Sequence, residues 1–134
     1  LGVHMKRREF LYFTAGASAL SVAGIPLPAL AGMPSVSIHR AIYDARYLES
    51  VDFVREAEVL GIPVSAIEGD VTRLWYNDLS LRWRERPQAT AGLTEADALF
   101  CFEQLARDYR MRVVYREARG ELVSWVIAPM STAH

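Results

Sequence analysis

Val36-Ser37-Ile38-His39-Arg40-Ala41-Ile42-Tyr43-Asp44 and Ile62-Pro63-Val64-Ser65-Ala66-Ile67 are two short runs rich in β-branched residues. Between them, over residues 47–60, Leu48, Val51, Val54, Ala57 and Leu60 recur at helical spacing. In the first run Val36, Ile38 and Ile42 share one face of a strand that ends at Asp44. Gly61 supplies a left-handed cap that stops the helix, and Gly69-Asp70 closes the second strand. Strand, helix, glycine and strand within about thirty residues make the footprint of a right-handed βαβ unit. This unit sets the expected fold class as α/β.

Downstream, residues 71–86 read as helix, in one piece or two, with Trp75, Leu79 and Trp83 on one face. Pro87-Gln88-Ala89-Thr90-Ala91-Gly92 reads as a loop. Thr94-Glu95-Ala96-Asp97 resembles a capping box with Asp in place of Glu, opening a helix whose inner stripe is Ala98, Cys101, Phe102, Leu105, Ala106 and Tyr109. Residues 111–115 and 122–128 read as strands, and Arg119-Gly120 between them predicts an antiparallel hairpin. The expected order is β-α-β-α-α-β-β. It implies a small, mostly parallel sheet, strand order 2-1-3-4, with one antiparallel edge. That architecture resembles the flavodoxin-like fold, a likeness of form that carries no activity.

Upstream, Lys6-Arg7-Arg8-Glu9-Phe10-Leu11 leads into an uncharged run that extends to Ala29-Leu30-Ala31. The run is diluted with Gly, Ala and Ser, shows no polar helical face, and carries Pro26 and Pro28 just before the small residues. Arg7, Arg8, Phe10 and Leu11 at these positions, with Ala29 and Ala31 as a small-x-small cleavage signal, resemble a bacterial twin-arginine (Tat) export signal. Lys6 stands where Ser or Thr is usual, and Tyr12 where Lys is common. The resemblance implies recognition by the Tat translocase, export in the folded state and a periplasmic destination. Membrane contact is then expected only through this segment, whose Gly, Ala and Ser suit a permanent span poorly. The expected division is residues 1–4 as vector or upstream sequence, 5–31 as signal and 32–134 as one α/β domain.

That domain holds roughly a hundred residues, enough for one core. The chain has 15 basic and 16 acidic residues, and Lys6, Arg7, Arg8 and Glu9 belong to the signal. The remainder is mildly acidic, with arginine as its only basic residue besides histidine, a poor match to nucleic acid. Cys101 is the only cysteine, which excludes an intramolecular disulfide and reads as a small core residue.

Open α/β sheets bind ligands at the carboxyl ends of their strands. The expected rim holds Asp44 and Arg46 after strand 1, Glu68 and Asp70 after strand 2, and Gly92 and Thr94 before the third helix. Three carboxylates there suit a divalent cation, and free N–H groups at the helix start suit an anion. The competing role for Asp44 and Asp70 is helix capping. No Gly-x-Gly-x-x-Gly, P-loop or Gly-x-Ser-x-Gly spacing occurs, and His39 is the only histidine between the signal and the terminal His134. Zinc lacks His and Cys ligands, and no cofactor is indicated.

Arg73, Trp75, Tyr76, Trp83 and Arg84 interleave aromatic and guanidinium groups as protein interfaces do. The alternative is a Trp face packed on the sheet with solvated arginines. With the export resemblance and the absence of catalytic motifs, this segment points to a non-catalytic accessory or binding subunit of a larger periplasmic enzyme, plausibly a redox one. The alternative is a small-ligand or metal-binding domain, or a weak enzyme, using the rim.

Overall fold

The computed structural model describes residues 21–22, 25–26 and 37–130. Ser21–Val22 (β1) and Ile25–Pro26 (β2) pair antiparallel. Arg7, Arg8, Phe10, Leu11, Ala29 and Ala31, the residues that carry the export resemblance, lie outside the described residues, as do Val36 and His134.

The domain runs β3 (Ile38–Asp44), α1 (Ser50–Val59), β4 (Val64–Ile67), α2 (residues 72–85), β5 (Ala89–Thr94), α3 (Ala96–Arg107), β6 (Met111–Arg119) and β7 (Leu122–Pro129). Within α2, Trp75–Leu79 winds as a π-helix between α-helical ends. One five-stranded sheet forms in the order β4-β3-β5-β7-β6. β3 is parallel to β4 and β5, whereas β5–β7 and β6–β7 are antiparallel. The class is α/β, as the sequence predicts. The mostly parallel, flavodoxin-like order 2-1-3-4 is corrected to a sheet with two parallel and two antiparallel ladders.

The difference is β5. Ala89-Thr90-Ala91-Gly92-Leu93-Thr94 is the central strand, every residue buried, where a loop is expected. Ala and Gly have poor strand propensity, so the segment lacks a local signal. Small residues suit it because the neighbouring layers press close on both sides. Its insertion separates β3 from the hairpin, and β7 rather than β6 takes the inner place.

Three stripes also shift. Leu48 is 87% exposed and Val51 is exposed, whereas Ala57 and the following Leu60 are buried as expected and are joined by Ser50 and Phe53. That set also has helical spacing, and the helix begins at Ser50 rather than residue 47. In β3 a register shift between Ile38 and Arg40 puts Ile38 with Ala41 on the α1 side and Ile42 on the other. In α3 the buried residues are Ala98, Leu99, Phe102 and Ala106, and Cys101 faces solvent.

Two apolar layers flank the sheet. On one side Phe53, Ala57 and Leu60 join Ile38, Ala41, Ala91 and Val126. On the other, Leu79 and Trp83 of α2 and Phe102 of α3 meet Ile42, Trp125 and Ile127. Trp125 and Phe102 are fully buried with ring centroids 5.6 Å apart. Each such side chain contributes about 2–3 kcal/mol of burial energy. Gly61, at φ 78°, ends α1 as expected.

Candidate functional site

The carboxyl ends of β3 and β5 lie side by side because the strands are parallel, and this brings together residues far apart in sequence. Asp44, the last residue of β3, is fully buried. Arg46, in the turn that follows, grips it with two parallel bonds: Nε donates to Oδ1 at 2.9 Å and Nη2 to Oδ2 at 2.8 Å. The backbone N–H of Arg46 also donates to Oδ1 at 3.0 Å. Ser50 Oγ donates to the Asp44 carbonyl at 2.7 Å, tying the start of α1 to the end of β3.

Glu95 comes from the end of β5. Its Oε1 lies 3.0 Å from Arg46 Nη2, and its Oε2 accepts a hydrogen bond from the Tyr47 hydroxyl. The Arg46 guanidinium also sits 5.6 Å from the Tyr47 ring centroid. Gly69, beyond β4, has φ +91°, and a Cβ there would come within 3.0 Å of the Arg46 guanidinium. Its backbone N–H also helps to hold the Asp44 carboxyl below its ordinary value. One arginine thus joins the ends of three parallel strands.

The electrostatics follow from the pairing. Arg46's side-chain hydrogen bonds hold the Asp44 carboxyl below its ordinary value against the opposing cost of burial. Asp44 and Glu95 make Arg46 a weaker acid still. The Glu95 hydrogen bond pushes the Tyr47 hydroxyl up to about 12. Every polar group in this knot therefore has a partner, and none is left as a free base or nucleophile.

The other expected rim residues are placed differently. Asp70 Oδ1 accepts from the Thr72 N–H at 2.9 Å, which braces the turn into α2 ahead of its cap residue Val71 and lowers the Asp70 pKa. Glu68 is exposed. Glu68 and Asp70 instead border an open cleft of about 660 Å³ with Arg73, Asn77 and Asp78. Among the described residues no group of three or more His, Cys, Asp and Glu side chains could hold a metal ion. Gly92 and Thr94 are not in a loop. They lie inside β5, opposite Trp125 and Val123, and Thr94 Oγ1 accepts from Trp125 Nε1 at 2.9 Å. The expected capping box does not form, and Glu95 occupies the cap position in extended backbone with no side-chain cap bond.

Two groupings were invisible to spacing rules. Glu95 and Tyr47 reach the Asp44–Arg46 pair only through strand pairing. Asp78 is held between Arg40 Nη1 at 3.1 Å and Arg82 Nε at 2.6 Å, while Arg40 Nη1 also donates to Ser65 at 2.7 Å. Only the Asp78–Arg82 half, at i and i+4 on a helix, had a sequence signal. His39 is exposed on β3, with its pKa lowered by partial burial and by Arg86.

The aromatic segment divides. Trp83 is buried and Trp75 half-buried, and both stack edge-to-face with each other and with Tyr109 at 5.5–6.1 Å. This takes Trp83 off the expected partner face and makes it the anchor of α2. Arg73, Tyr76 and Arg84 remain exposed. Comparison with known proteins returns no relative: no family model, curated protein or solved structure matches the chain.

Proposed function

We propose that this chain is a non-catalytic accessory subunit, exported folded by the twin-arginine route, that binds a larger periplasmic (redox) enzyme through the outer surface of α2. The observation that carries the reading is the exposure on that helix of Tyr76 (69%) and Leu81 (55%), flanked by exposed Arg73 and Arg84. Tyrosine and arginine dominate interface energetics because rigid rings and planar guanidinium groups bury area at low entropic cost. The Trp75–Trp83–Tyr109 cluster beneath holds the helix in place, so little ordering is needed on binding. The mutual pairing of Asp44, Arg46, Glu95 and Tyr47 supports a structural use of the strand ends over a catalytic one.

Two measurements test this. Cells expressing the chain with Arg7→Lys and Arg8→Lys together are expected to lose it from the periplasmic fraction, and equal amounts with and without the change would sink the export route. Native mass spectrometry of gently purified periplasmic material is expected to show the chain with a larger protein. Tyr76→Ala with Arg84→Ala should abolish that species.

A further inference from the structure

The sheet ends in two edge strands, and they are guarded differently. β6, at one end, carries Arg112, Arg116, Glu117 and Arg119 and a register shift between Val113 and Tyr115. Charges and a bulge of this kind discourage another strand from pairing. β4, at the other end, is Val64-Ser65-Ala66-Ile67, with no charge, no proline and no register shift. The Ala41 N–H donates to the Pro63 carbonyl at 2.9 Å and the Ala45 N–H to the Ile67 carbonyl at 2.8 Å. Backbone groups alternate along a strand, so residues 63, 65 and 67 face β3, whereas Val64 and Ala66 turn their N–H and C=O groups outward. Among the described residues no backbone hydrogen bond takes up those outward groups. The cleft of about 660 Å³ lies beside this edge, between the end of β4 and Arg73, Leu74, Asn77 and Asp78 of α2, with Glu68 and Asp70 on its wall. Asp78 is balanced by Arg40 and Arg82, and Asp70 in part by Arg73, which leaves the negative excess at exposed Glu68.

We propose that β4 and this cleft bind a short extended peptide segment of a partner protein, which adds as a strand along β4 and directs basic side chains toward Glu68. Strand addition takes its affinity from main-chain bonds and its selectivity from every second side chain. Val64 and Ala66 offer their N–H donors and C=O acceptors at a spacing of about 6.6 Å, the two-residue repeat of an extended chain. Alternate side chains of the added strand enter the cleft on the α2 side, where carboxylates select basic groups. The others fall on the α1 side, level with Val64, which packs on the apolar layer there. A segment alternating basic and β-branched residues therefore fits both sides. The chain turns away at Gly69, with φ +91°, so the edge is short and suits one peptide segment rather than a second sheet. Tyr76 and Leu81, which carry the proposed partner surface of α2, do not line this cleft, and the inference stands without the accessory reading.

The full chain, mixed with a peptide of about six alternating lysine and valine residues blocked at both ends, provides the test. Saturating peptide is expected to slow hydrogen exchange at the Val64 and Ala66 amides by about 100-fold. Unchanged exchange at about 1 mM peptide overturns the proposal. Slow exchange in the chain alone means that another segment or a second copy already pairs with β4, and overturns it too. Methylating the lysine amides or the valine amides removes donors from opposite edges of the peptide. One set should weaken binding at least about 10-fold, and the other should leave it within about 3-fold. Equal effects, read by fluorescence anisotropy, mean adsorption by charge alone and overturn strand addition. Glu68→Lys should weaken binding about 10-fold, and a peptide with glutamate in place of lysine should not bind. Equal binding of the acidic peptide would refute the basic selectivity. Tyr76→Ala with Arg84→Ala lies outside the cleft and should leave all these readings unchanged, so failure of the accessory reading would be seen separately.

Discussion

Gly92 and Trp125 stand opposite each other across the β5–β7 ladder, and the indole fills the space where a side chain on residue 92 would be. A Cβ there would lie 2.1 Å from Trp125 Cζ2. Thr94, two residues on, accepts the indole N–H, so the ring is fixed at both ends. The glycine at 92 is therefore a consequence of the large residue on β7, whereas Ala89 and Ala91 face the opposite layer.

Gly92→Ala is expected to destabilise the domain by about 3 kcal/mol, because the indole cannot move within a packed layer that includes Phe102. Denaturant titration measures this. Adding Trp125→Leu to Gly92→Ala should recover part of the loss relative to the sum of the single changes. Strict additivity would contradict the steric account.

The Asp44–Arg46 pair predicts an asymmetry. Arg46→Met leaves a fully buried carboxylate with backbone N–H donors alone and should cost about 3 kcal/mol. Asp44→Asn leaves a half-exposed guanidinium that keeps Glu95 and water, and should cost about 1–2 kcal/mol. Chemical unfolding of both variants decides the order. Equal costs would mean that the carboxylate is not the strained partner.

Stability should fall at both pH extremes for separate reasons. Asp44 has a depressed folded pKa, so its contribution is complete above about pH 4 and is lost as pH falls through the folded value. Tyr47 and Tyr115 have folded values near 12, raised chiefly by the Glu95 hydrogen bond and by burial respectively. The unfolded chain releases those protons first, near pH 10, so stability declines between about pH 10 and 12. Melting curves across pH measure both limbs, and Tyr47→Phe should flatten the alkaline one.

Cys101 is exposed on α3. Thiol reagents are expected to modify it in the folded protein as fast as a free cysteine, and Cys101→Ser should change stability by no more than about 0.5 kcal/mol. Protection from reagent under native conditions would place it in an interface.

Much of the frame was legible in the residues. β3, α1, β4, the Trp75–Leu79–Trp83 face of α2 and the C-terminal hairpin each carry their own periodicity or turn signal. Of the rim, the adjacency of Asp44 and Arg46 and the local bond of Asp70 to Thr72 could be read from the sequence, since each spans two residues. Where two stripes share helical spacing, as Leu48-Val51 and Ser50-Phe53 do, periodicity alone does not choose between them. Packing chose the second, as it chose Leu99 over Cys101 in α3.

The chain by itself determined the α/β class and the Gly61 stop of α1, which depend on neighbours within a few residues, and the mild acidity of the domain, which depends on composition alone. Only the tertiary structure decided that 89–94 is the central strand, that β7 lies inside β6, and that Glu95 and Tyr47 close around Arg46. Those facts depend on which strands pair, and pairing is selected by burial on two faces at once. The alanines and glycine of β5 show no preference of their own until Trp125 and the sheet's two apolar layers surround them.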